Sequence, residues 1–95
     1  MLTENQKNII IQAMLPFKPE KIGVFGSVAR NESSDNSDID ILFSFDSTYT
    51  LFDLSGLKQK LQELLKKEVD LVEFSVIHKK LRNRILKDSI IIYGE

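Results

Sequence analysis

Two runs decide the fold: Lys21-Ile22-Gly23-Val24-Phe25-Gly26-Ser27-Val28-Ala29-Arg30 and, six residues on, Ser37-Asp38-Ile39-Asp40-Ile41-Leu42-Phe43. The first is a short apolar strand, Lys21 to Phe25, closed by a Gly-Ser step. The second opens a strand, Ile39 to Phe45, with two carboxylates at alternate positions. Alternate side chains leave a strand from the same face, about 6.6–6.8 Å apart along it. Ile39, Ile41 and Phe43 therefore point one way, and Asp38, Asp40 and Leu42 the other. That second face turns apolar where Asp40 ends, which puts Asp40 at the margin of a core. The connection between the two strands is short for a parallel crossover, so the expected sheet is mixed.

Outward from these strands, helices and strands alternate. Thr3 to Leu15 reads as a helix. Thr3 and Gln6 form a capping-box pair, Ile9, Ile10, Ala13 and Met14 an apolar stripe, and Pro16 and Pro19 the stop. Ser27 to about Glu32 fits a short helix capped by Ser27, and Ser33 to Ser37 a polar loop. Phe52 to Lys66 carries Leu54, Leu57, Leu61, Leu64 and Leu65 on one helical stripe. Val69 to Phe74 is a third strand. A last helix runs from Ser75 or Val76 to Lys87, with Ile77, Leu81 and Ile85 aligned, and Ser89 to Tyr93 is a final β-branched strand. The expected class is α/β, with helices layered on a small mixed sheet.

Ninety-five residues bound the chain to one small domain, 1–95. A domain of this size buries only roughly 60–65% of the surface its unfolded chain exposes, so a partner would help it. There is no cysteine, which excludes disulfides and thiolate metal sites. No apolar run approaches membrane-spanning length, and Met1 to Asn5 lacks the basic start of a signal peptide. The expected location is the cytoplasm. Residues 1–57 carry four basic and eight acidic side chains, residues 58–95 nine and six. The basic excess, Lys58, Lys60, Lys66, Lys67, Lys79, Lys80, Arg82, Arg84 and Lys87, reads as solvated helix faces or as a surface for an acidic partner or nucleic acid. His78, the single histidine, has no second imidazole with which to share a metal and reads as a surface residue.

The acids carry the chemistry. Gly26 lets backbone approach a ligand closely, and Ser27 offers a hydroxyl and free N–H groups to phosphate oxygens, although a plain strand-to-helix turn with a serine cap uses the same two residues. Asp38 and Asp40 repel one another unless a cation lies between them. Mg2+, with its preference for hard oxygen ligands, suits the pair. Asp38 could instead cap a turn and Asp40 face solvent. Asp70 lies inside Val69-Asp70-Leu71-Val72, where an acid is costly unless paired or metal-bound. With its strand beside Ile39 to Phe45, Asp70 completes a three-carboxylate cluster able to hold two Mg2+ ions. The chain has neither a dinucleotide fingerprint nor a P-loop.

Taken in order, Gly26-Ser27-Val28-Ala29-Arg30, Ser37-Asp38-Ile39-Asp40 and Asp70 resemble the minimal nucleotidyltransferase (MNT) family of the polymerase-β-like superfamily, over nearly the whole chain. The resemblance implies that Asp38, Asp40 and Asp70 are the catalytic metal ligands, with Asp70 also helping to activate the attacking hydroxyl. It implies that Gly26, Ser27, Arg30 and Ser37 are the nucleotide-binding set. Arg30 would meet phosphate, support the loop or buttress the acids. Family members commonly have Gly after that Arg; Asn31 stands here and tolerates the same positive φ. The implied cofactors are Mg2+, two ions, with ATP as nucleotide substrate. The implied partner is a helical HEPN-type ribonuclease toxin, to which the chain is antitoxin and onto whose hydroxyl it moves AMP. A non-catalytic antitoxin that covers its toxin, or a nucleotide-binding subunit, would share the fold. Tyr49, Leu51 and Phe52 are apolar residues in loop-like settings that either meet the partner or pack locally.

Overall fold

A computed structural model of the chain describes residues 2–26, 38–77 and 87–94. Its elements run α1 (Glu4–Met14), β1 (Pro19–Phe25), β2 (Ile39–Phe45), α2 (Leu51–Leu65), β3 (Val69–Glu73) and β4 (Ile90–Gly94). Single 3₁₀ turns, Leu15–Phe17 and Phe74–Val76, follow α1 and β3.

The start of α1 is fixed by its own sequence. Thr3 Oγ1 accepts the Gln6 N–H at 3.1 Å, and Gln6 Oε1 accepts the Thr3 N–H at 2.9 Å. Two donors that the first helical turn leaves unpaired are thereby satisfied. Helix α2 repeats the device one residue before the expected start: Thr50 Oγ1 accepts the Asp53 N–H at 3.1 Å and Asp53 Oδ2 the Thr50 N–H at 2.9 Å. Thr50→Ala is expected to cost about 1 kcal/mol in urea unfolding.

The sheet order is β3-β2-β1-β4. β1 runs antiparallel to β2 and to β4, while β2 and β3 are parallel, so the sheet is mixed as expected. The parallel pair is joined through α2, the crossover that parallel strands require. Ile22, Val24, Ile39, Ile41, Phe43 and Val69 face the helices and are buried with Ile10, Met14, Leu57, Leu61 and Leu65. This is the core that period-two alternation in the strands and the stripes of α1 and α2 encode.

The opposite sheet face, by register, carries Phe25, Asp40, Leu42, Asp70 and Val72. Leu42 is fully buried there although it lies outside the helix-side cluster. The Phe74 ring lies over this face, 5.1 Å from the Lys21 ammonium.

Several elements differ from expectation for physical reasons. β1 begins at Pro19, a residue that a strand tolerates at its first position. Leu64, placed on the buried stripe, is 50% exposed, because five leucines span more of α2 than the sheet and α1 cover. The last helix cannot start at Ser75 or Val76: residues 74–76 form a 3₁₀ turn and Ile77 is extended. The expected helix over 27–32, the expected loop over 33–37 and residues 78–86 of the expected last helix lie outside the described residues.

Tyr49 packs against Phe43 and Phe45, with ring centroids 6.0 and 5.5 Å away, and donates its hydroxyl to Glu73. Local packing therefore accounts for Tyr49, whereas Leu51 and Phe52 are 85% and 87% exposed. Gly56 lies in the middle of α2, where glycine costs roughly 0.5–1 kcal/mol relative to alanine. A Cβ there would meet no atom within 4 Å, so nothing in the described chain requires the glycine.

Candidate active site

Asp40 stands between β1 and β3. Its register partner on the antiparallel side is Phe25, and on the parallel side Asp70. The sheet therefore brings together two carboxylates separated by thirty residues of sequence, on the face away from the helices. Asp40 is half-buried beside fully buried Leu42, the margin position that alternation predicts.

Asp70 is exposed, so the cost of burying an acid, which marks it in the sequence, does not apply. Register is what places it beside Asp40. That register is held at both neighbours. Ile39 donates its N–H to the Glu68 carbonyl at 2.9 Å, and Val69 donates its N–H to Gln62 Oε1 of α2 at 3.1 Å. Ile39 and Val69 are themselves buried and paired. Lys66, in the left-handed region at φ 57°, makes the tight exit from α2 that lets β3 begin at Val69.

Gly26 ends β1 at φ 75°, a backbone conformation that side chains disfavour. A Cβ on this residue would run into Asp40 Oδ2 and lie 3.4 Å from its Cγ. Gly26 is thus the floor against which the Asp40 carboxylate lies. That contact is not legible in the sequence, which suggests only a close approach of ligand to backbone. Asp38 precedes β2 and is exposed, two residues before Asp40. Ser27, Arg30 and Ser37, the remaining candidates, lie outside the described residues, as does His78.

Among the described residues no three histidine, aspartate or glutamate side chains are gathered into a metal-holding group. Register joins Asp40 to Asp70, and Asp38 stands outside the regular pairing. The donor chemistry still fits a hard cation: carboxylate oxygens only, one of them bedded on a glycine that leaves the space a Cβ would fill.

Among the described residues, two helices lie over a β3-β2-β1-β4 sheet with acids on β2 and β3 beside the glycine that closes β1, and this is the frame of a nucleotidyltransferase. The family model described as Polymerase beta, Nucleotidyltransferase matches residues 6–95, and the chain belongs to that family. A Methanocaldococcus jannaschii relative named "Putative protein adenylyltransferase MJ0435" is 43% identical over 84 residues, covering 88% of this chain and 90% of its own. A crystal structure of a toxin–antitoxin with AMP-PNP superposes with a TM-score of 0.82 at 28% identity, over 94% of this chain and 73% of that one. A structure of the tri-AMPylated Shewanella oneidensis HEPN toxin in complex with MNT antitoxin gives 0.78 at 25% identity, over 99% and 74%. No helix among the described residues is long and apolar enough to cross a membrane.

Proposed function

We propose that this chain is a Mg2+-dependent protein adenylyltransferase that transfers AMP from ATP onto a hydroxyl of a helical HEPN-type toxin and thereby serves as its antitoxin. The observation that carries the chemistry is the Asp40 carboxylate, bedded against Gly26 and in register with Asp70. The partner is supported by the relatives: a structure similar to this chain holds an AMPylated HEPN toxin with its MNT antitoxin.

In the proposed reaction the acceptor oxygen attacks the α-phosphorus in line, the bond to the bridging oxygen of the β-phosphate breaks, and pyrophosphate leaves. Asp38, Asp40 and Asp70 would hold the metal, which when bound neutralises charge on the phosphate chain. Asp70 is exposed, as Asp38 is, and stands in register with Asp40 where an incoming acceptor can reach it, and its carboxylate takes the hydroxyl proton. Gly26, Ser27, Arg30 and Ser37 would bind the nucleotide. A single domain over residues 1–95, acting in the cytoplasm, belongs to the same proposal.

The test is to incubate the purified chain and a candidate HEPN-type toxin partner with Mg2+ and α-labelled ATP. Label on the partner, absent when EDTA replaces Mg2+, is the expected result. Tight binding of the partner with no label would replace transfer by occlusion of the toxin. Nucleotide binding with no protein labelled or bound would reduce the chain to a nucleotide-binding subunit.

A further inference from the structure

On the outer side of the helix layer, away from the acids, α1 and α2 leave two adjoining cavities of about 290 and 300 Å3. Ala13 of α1 and Lys60 of α2 line both, so the two form one groove. From α2 the groove takes Phe52, Asp53, Gly56, Leu57, Lys60 and Leu64. Steps of three or four residues along the helix set these positions on one stripe. Two of them, Phe52 and Leu64, are large apolar side chains left in solvent, and Gly56 lies between them with open space where its Cβ would be. Among the described residues no side chain or other element comes within 4 Å of where the Gly56 Cβ would lie, and a close crossing by another helix needs such open space.

We propose that this stripe is a homodimer interface in which α2 of one copy crosses α2 of a second copy antiparallel at Gly56. The charges argue for a second copy. Asp53 lies three residues before Gly56 and Lys60 four residues after it. An antiparallel two-fold crossing there sets Lys60 of each copy against Asp53 of the other, so the same complementary pair forms twice. The apolar groups are placed alike: Phe52, one turn before Gly56, reaches the far side of the partner's groove. An isologous contact of this kind needs a patch complementary to itself, and the stripe is one. Among the described residues Lys60 makes no ion pair within its own chain, so its charge is available across the axis. Nothing in this inference depends on the proposed adenylyl transfer.

Sedimentation equilibrium of the full chain, without nucleotide or toxin, should give a concentration-dependent dimer. Lys60→Glu and Asp53→Lys each place like charges across both ends of the crossing, and each variant alone should dimerise at least tenfold more weakly. Mixed, they form a heterodimer with opposite charges at both ends. One end pairs the two introduced side chains, glutamate against lysine, and the other pairs the retained Lys60 and Asp53, so the dimer should return. Circular dichroism of each variant checks that α2 persists, since Asp53 also belongs to its cap; Gly56→Arg, which leaves the cap alone, should give monomer as well. A chain monomeric up to high concentration would overturn the interface. So would a dimer unmoved by Lys60→Glu and Gly56→Arg, or two charge variants that fail to recover on mixing.

Discussion

Asp40→Asn is expected to lower adenylyl transfer on the order of 10²–10³-fold, the usual scale for removing one preorganised electrostatic group from a reacting centre. The substitution keeps the side-chain volume and removes the charge. Asp40 is half-buried, its neighbours Ile39 and Ile41 are locked in the core, and its register partner is a second carboxylate. The backbone has little freedom to bring another oxygen to the same place. Relief of the repulsion between like charges directly across adjacent strands, a few tenths of a kcal/mol to about 1 kcal/mol, acts in favour of the variant's stability. Label transfer measured alongside thermal unfolding separates the two effects. A folded variant with undiminished transfer would remove Asp40 from the site.

The second large effect is expected at Gly26. Alanine there must adopt φ 75°, for which an L-residue is penalised by roughly 1–2 kcal/mol, and its methyl group must displace the Asp40 carboxylate. Gly26→Ala should therefore lose transfer about as severely as Asp40→Asn while also unfolding at lower denaturant. The two causes can be parted. In an Asp40→Ala background the steric conflict is gone and only the backbone penalty remains, so Gly26→Ala should cost less stability there. A coupling of about 0.5–3 kcal/mol is the scale for residues in contact. Equal costs in the two backgrounds would show that Gly26 does not position Asp40.

Much of this architecture is legible in the chain because it depends on local signals. The Thr3–Gln6 box, the alternation in Ile39 to Phe45 and the leucine stripe of α2 each act within a few residues, and each element forms where its signal lies. The Thr50–Asp53 box is equally present in the sequence, and reading the helix from its leucines alone sets its start one residue late. Leu64 departs from its stripe because a stripe says which side chains align, not how much partner surface exists to cover them. The sheet order and the pairing of Asp40 with Asp70 are products of tertiary register, which alternation leaves open. The cost of burial singles out Asp70 in the sequence, yet Asp70 is exposed; the parallel pairing with β2 is its actual credential.

β2 uses one alternation for two purposes. Ile39, Ile41 and Phe43 serve the core, and Asp40 between them faces the other side, where the proposed chemistry would take place. A shift of one residue exchanges the two faces completely. At positions other than Asp40 the strand should therefore accept a conservative replacement yet reject the insertion or deletion of even one residue, since such a change would carry the carboxylate into the helix layer and the isoleucines into solvent. For a lineage of such chains, length between Asp38 and Phe45 is a stricter constraint than composition. Divergence in this strand can then proceed by exchange of side chains, and scarcely at all by gain or loss of them.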